Sequence, residues 1–92
     1  MNGKLIYDNV QILNVEKKIS DDASITWYEA ITNQEGNINV ITIDKDVAGN
    51  VKNGQYYDFE LTVKEVLKST RNGGAYKANK FKITAILENW LF

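Results

Sequence analysis

The chain contains no histidine, no cysteine and no proline. Without histidine it lacks the one side chain whose ordinary pKa suits a general base near neutral pH, and without cysteine it lacks a thiolate nucleophile, a disulfide framework and a thiolate metal site. Stability must therefore come from a buried apolar core. Proline-marked linkers are absent as well. No segment approaches the roughly eighteen apolar residues of a membrane span, and the start, Met1-Asn2-Gly3-Lys4-Leu5-Ile6, has no apolar run behind a basic stretch. The expectation is a cytoplasmic protein with no membrane association.

Carboxylate pairs remain possible, and the dense acidic spots are Asp21-Asp22 and Asp44-Lys45-Asp46. Both fall in predicted turns, where Asp commonly bonds its own backbone rather than a metal or a substrate. No catalytic residue, metal site or cofactor is expected, and the chain reads as a non-enzyme.

What is present suits a folded chain. With 92 residues, 43% hydrophobic and 25% charged, the composition is that of one ordinary globular domain spanning residues 1–92. Apolar residues recur with period two through most of the sequence, which predicts strands. The first runs from Lys4 to about Lys17, where Leu5 and Tyr7 share one phase, Val10 and Ile12 the other, and Leu13 and Val15 return to the first. A bulge or sharp bend inside the strand accounts for such a switch. After the polar turn Ser20-Asp21-Asp22-Ala23, a second strand from Ser24 to Thr32 places Ile25, Trp27 and Ile31 on one side and Thr26, Tyr28 and Thr32 on the other. The first set reads as the core side, and Trp27 belongs to it unless a twist or bulge turns the ring out. Asn33-Gln34-Glu35-Gly36 predicts a tight hairpin into a third strand, Asn37 to Ile43.

Between Asp44 and Gly54 the alternation breaks, and Asp44 with Gly49 has the form of an N-cap and a C-terminal glycine around one helical turn. Asn53-Gly54 then turns the chain into a fourth strand, Gln55 to Lys68, with Tyr57, Phe59, Leu61, Val63 and Leu67 on one face. The hairpin loop Ser69-Thr70-Arg71-Asn72-Gly73-Gly74 leads to a fifth, Ala75 to about Glu88. There Phe81, Ile83, Ala85 and Leu87 lie together, opposite Tyr76, Lys80, Lys82 and Thr84. Three strands, a short helix or loop and two more strands, with a long bent first strand, is the order of an all-β, five-stranded Greek-key barrel, the OB-fold. An immunoglobulin-like sandwich needs about seven strands, and an SH3-like barrel is usually smaller.

Within that order, the stretch Val51-Lys52-Asn53-Gly54-Gln55-Tyr56-Tyr57-Asp58-Phe59-Glu60-Leu61-Thr62-Val63 resembles the fourth-strand entry of small OB-fold single-stranded DNA-binding proteins of bacteria, phages and mobile elements. That resemblance implies binding of single-stranded nucleic acid. The chain departs from the bacterial proteins in lacking a long tail with an acidic tip; its end, Glu88-Asn89-Trp90-Leu91-Phe92, shares the terminal Phe.

Charge distribution carries the functional argument. The net charge is −1 and the pI about 5.3, so the whole-chain balance does not announce a polyanionic partner. Its placement says more: residues 1–48 hold four basic and eight acidic side chains, whereas residues 49–92 hold seven basic and four acidic. From Lys64 to Lys82, the bases Lys64, Lys68, Arg71, Lys77, Lys80 and Lys82 face Glu65 alone. Single-strand binding needs cations along the phosphates and aromatic faces for the bases. Tyr76 lies inside the basic hairpin, Tyr28 falls on the predicted outer phase of the second strand, and Tyr56 is a further candidate. The expected partner is single-stranded nucleic acid, with DNA the first choice.

Two other classes remain open. Lysines on hairpins also guard strand edges against aggregation, so the domain could be a protein-interaction or self-associating module that uses exposed aromatics and the apolar tail Trp90-Leu91-Phe92. An oligosaccharide-binding OB domain would use the aromatics without the basic hairpin.

Overall fold

The computed structural model describes residues 2–87; the Trp90-Leu91-Phe92 tail lies outside the described residues. Five strands form, β1 (Gly3–Ile19), β2 (Thr26–Gln34), β3 (Asn37–Ile43), β4 (Tyr56–Ser69) and β5 (Ala75–Leu87), with one helix, α1 (Lys45–Ala48), between β3 and β4. The sheet closes in the order β1-β2-β3-β5-β4. All pairings are antiparallel except β3 with β5, which is parallel. This is the predicted OB-fold barrel.

The first strand serves two neighbours, and it can do so because it bends. Its residues Gly3 to Gln11 pair with β4 and Gln11 to Ile19 with β2, with register shifts between Tyr7 and Val10 and again between Ile12 and Asn14. Asn9 takes φ 51 inside the first shift, a left-handed conformation that Asn tolerates better than most residues. Each bulge advances the side-chain phase by one. The inward set is therefore Tyr7, Val10, Ile12 and Val15. Leu13, which the alternation grouped with Val15, is exposed.

One buried cluster fills the barrel, comprising Val10, Ile12, Ala30, Ile43, Val47, Phe59, Leu61 and Ile83. Thr32 is the buried polar residue among them. Its hydroxyl lies 2.9 Å from the Tyr7 hydroxyl and donates to the Asn39 carbonyl at 3.4 Å, tying β1, β2 and β3 together. Helix α1 inserts Val47 into the cluster, covering one end. Asp44 precedes the helix in an extended conformation but makes no side-chain cap, and Gly49 has φ −72, an ordinary right-handed value. Asp44 and Gly49 thus flank one helical turn as N-cap and C-cap, held by backbone bonds from Ala48 to Asp44 and from Gly49 to Lys45 and by packing of Val47 rather than by a side-chain cap. At the two-residue turn into β3, Glu35 and Gly36 have φ 52 and 88, the positive pair that a tight hairpin requires.

Two phase assignments and one expected burial are overturned. On β2 the buried residues are Ala30 and Thr32, with Tyr28 packed against the core, so Trp27, Glu29 and Ile31 point outward. On β5 the register shifts between Glu60 and Leu61, pairing Ile83 with Leu61 but Ile86 with Phe59. The inward face passes from Ile83 to Ile86, not to Ala85. Finally, β4 and β5 continue as a hairpin beyond the barrel wall, so Leu67 is 74% and Phe81 40% exposed despite sharing the phase of the core.

Candidate nucleic-acid interface

The β4–β5 arm arranges its cations by simple alternation. Directly opposed residues of an antiparallel pair share a face, and the register sets Thr62 against Lys82, Lys64 against Lys80 and Lys68 against Tyr76. Lys64, Lys68, Tyr76, Lys80 and Lys82 therefore occupy one face. Four residues separate the Lys64 and Lys68 rungs, about 13 Å along the strand. Like charges directly opposed across a ladder are unfavourable. None of Lys64, Lys68, Arg71 and Lys80 has an ion-pair partner among the described residues.

The other face of the arm differs. It carries Leu67 against Lys77, and the Lys77 ammonium sits 3.4 Å from the Glu65 carboxylate. Lys77 is thus separated from the rest of the basic group. Arg71 stands exposed in the tip, a closed turn in which the Thr70 amide donates to the Gly74 carbonyl at 2.9 Å and the Gly74 amide to the Thr70 hydroxyl at 3.1 Å. Gly73 supplies a φ of 82 there. Lys82, at the barrel end of the row, lies 3.7 Å from Asp44 across half-exposed surface, where such a contact is weak.

The row of cations leads onto the outer face of β2 and β3. A depression of about 470 Å³ is lined by Lys17, Trp27, Thr42, Asp44, Lys45 and Lys82 among others, and a second of about 390 Å³ by Ile25, Trp27, Glu29, Thr42 and Lys80. Trp27 and Thr42 belong to both. The partly buried Trp27 ring therefore sits between the β5 lysines and the 20–25 loop, its Nε1–H donating to a Glu29 oxygen at 3.0 Å. That loop is internally bonded. One Asp22 oxygen accepts from the Ser20 hydroxyl (2.8 Å), the Ser24 hydroxyl (2.7 Å) and the Ser24 amide (3.0 Å), and these bonds, those from Ser24 above all, hold its pKa down at about 2.

The expected aromatic residues divide. Tyr76 joins the basic face and is half exposed. Tyr28 has the inward phase of β2 and packs against the core, while also lining the depression of about 470 Å³ beside Trp27. The outer-phase place expected for it is taken by Trp27. Tyr56 is exposed but pairs with Gln11 at the start of β4, eight residues from Lys64, which is about 26 Å along the strand. It lies apart from the arm. Trp27, Glu29, Ile25, Lys17 and Lys45 are the lining residues that the sequence pattern did not select. One signal could have found Trp27: Glu29 shares its phase, and a charge in the middle of a strand face argues that the face is solvent-exposed.

A third depression lies where β3 and β5 diverge beyond their two paired positions, Thr42 with Lys82 and Ile43 with Ile83. It is lined by Val40, Ile41, Val66, Leu67 and Phe81 with polar neighbours. Among the described residues no group of three acidic side chains is placed to hold a metal ion, and no helix is long and apolar enough to cross a membrane. No protein-family model and no curated protein matches the chain.

Proposed function

We propose that this protein binds single-stranded nucleic acid, with single-stranded DNA the first choice, along the outer face of β2–β3 and the basic face of the β4–β5 arm. The observation that carries the proposal is the continuity of cations unpaired among the described residues with an aromatic face: Lys68, Lys64 and Lys80 run down the arm to the depression that holds Trp27. Outer faces of strands 2 and 3, with the loops that flank them, are where OB barrels take up oligonucleotides. Lys64 opposed to Lys80 costs the folded chain stability, and a phosphate lying between them would relieve that cost. Trp27 and Tyr76 provide the rings for stacking.

The test is titration of a labelled oligothymidine over a series of salt concentrations. Each phosphate neutralised on a single strand contributes about −0.7 to the slope of log affinity against log salt, so three or four engaged cations give roughly −2 to −3. A flat salt response, or unchanged affinity in a Lys64→Glu, Lys80→Glu double variant, defeats the proposal.

A second reading is favoured by one feature, the exposed apolar lining of the β3–β5 cleft, with Val40 62%, Leu67 74% and Phe81 40% exposed. On that reading the domain is a protein-interaction or self-associating module. Sedimentation at rising concentration separates the two, since self-association through the cleft would be abolished by Leu67→Lys while leaving oligonucleotide affinity intact.

A further inference from the structure

A carboxylate in the middle of a surface meant for a polyanion calls for a reason. Glu29 is such a group: it stands on the outer face of β2 beside Trp27, opposite Thr42 on β3 and Glu16 on β1. Glu16 ion-pairs with Lys18 at 2.9 Å, and the Lys18 ammonium also feels the charge of Glu29. Trp27 is the residue that hydrogen-bonds Glu29 among the described residues, and it engages one oxygen. Glu29 also lines the depression formed with Ile25, Trp27, Thr42 and Lys80.

We propose that Glu29 makes this surface prefer guanine over thymine and uracil, by accepting hydrogen bonds from the Watson–Crick edge of a base stacked on Trp27; the inference rests on the single-strand reading above. An ionised carboxylate is an acceptor only. Guanine presents two neighbouring donors on that edge, N1–H and the N2 amino group, followed by the O6 acceptor, for which the Lys80 ammonium is a donor in the same depression. Thymine and uracil present one N3–H between two carbonyl oxygens, and those oxygens are repelled by the carboxylate. Cytosine and adenine offer one amino group beside a ring acceptor and rank between. Unpaired strands expose these edges, and base-specific recognition of single strands commonly uses them. The bond to the indole N–H fixes the carboxylate at the edge of the stacking ring, so stacking and edge recognition are set by the same pair of residues.

The experiment compares three labelled strands of about eight nucleotides, which is within the site size of one OB barrel: oligothymidine, and the same strand with one central guanine or one central inosine, which lacks the N2 amino group. Affinities are measured at one low salt concentration for the wild type and for Glu29→Gln, whose amide oxygen still accepts from Trp27. A good paired contact separates bases by roughly tenfold or more. The wild type is expected to bind the guanine strand about tenfold tighter than oligothymidine, with inosine between. In Glu29→Gln the three affinities should fall within about twofold of one another, and oligothymidine should bind slightly better because a negative charge has gone. Equal affinities in the wild type, or an undiminished guanine preference in Glu29→Gln, overturn the role of Glu29 and leave single-strand binding standing. Failure of the wild type to bind any of the strands overturns the single-strand reading itself.

Discussion

Trp27 and Tyr28 are neighbours with opposite duties, and the difference is one step of strand phase. Trp27 projects outward with its indole N–H on Glu29, while Tyr28 packs against the buried cluster. Trp27→Ala is accordingly expected to leave the melting temperature nearly unchanged and to weaken oligonucleotide binding by about 1–3 kcal/mol, the usual loss for one stacking ring. Tyr28→Ala should lower the melting temperature, which Trp27→Ala does not, so melting curves paired with titrations distinguish the two rings. Asp22 offers a test at the same scale that is independent of any ligand. Its folded-state pKa is held at about 2 by bonds from Ser24 and Ser20, below the 3.8 of a free side chain. A carboxyl group depressed in the folded state stabilises it above the unfolded pKa, and that contribution fades as pH falls from about 4 through 2. Carboxyl-carbon NMR should show Asp22 titrating near pH 2, and Ser24→Ala should move the midpoint upward toward the ordinary value.

At the scale of the element, the β4–β5 arm sets charge against stability. Lys64 faces Lys80 directly, and like charges in that relation are destabilising by some tenths to about 1 kcal/mol. Lys80→Glu should therefore raise the thermal midpoint modestly while reducing oligonucleotide affinity at low salt. A variant that loses both stability and binding would show that Lys80 is needed for the fold. The arm also separates two phenylalanines of the same strand phase. Phe59 is fully buried, whereas Phe81 pairs with Val63 at the mouth of the barrel and is 40% exposed. Phe59→Ala should cost about 3–5 kcal/mol, as deletion of a buried ring does, and Phe81→Ala clearly less. Urea unfolding of both variants measures the difference, and equal losses would place Phe81 in the core.

Over the whole molecule, the arm makes the shape elongated. The Cα radius of gyration is 14.8 Å, against about 12 Å for a compact domain of this length. The arm carries basic charge away from an N-terminal half that holds twice as many acidic as basic residues. A net charge of −1 thus hides a strong separation of sign, and a field organised in this way steers a polyanion to one end of the molecule. Association rates with oligonucleotides should fall steeply with salt in stopped-flow mixing, and more steeply than in an Arg71→Ala, Lys68→Ala variant, which removes charge from the far end of the arm. Equal salt dependence of the two rates would show that the arm does not guide encounter.

Much of this was legible from residue order alone. Period-two alternation in Tyr57 to Val63, the Glu35-Gly36 turn and the break between Asp44 and Gly54 determined the strands, their sequence and hence the barrel, because alternation and turn chemistry are local properties of the backbone. The pairing of Lys64, Lys68 and Tyr76 with Lys80 and Lys82 on one face followed from the same alternation across a short hairpin. Tertiary structure decided the rest. The apolar phase switch of β1 already marked a bulge in that strand, and two are there; the bulge of β5 has no such mark, so Ala85 leaves the face it was expected to occupy. On β2 the larger apolar residues Trp27 and Ile31 share a phase with Glu29, and closure of the barrel chose Ala30 and Thr32 for the narrow interior and left Trp27 outside. Leu67 and Phe81 kept the inward phase but ran past the barrel wall, because burial depends on what stands opposite a side chain as well as on the side to which it points.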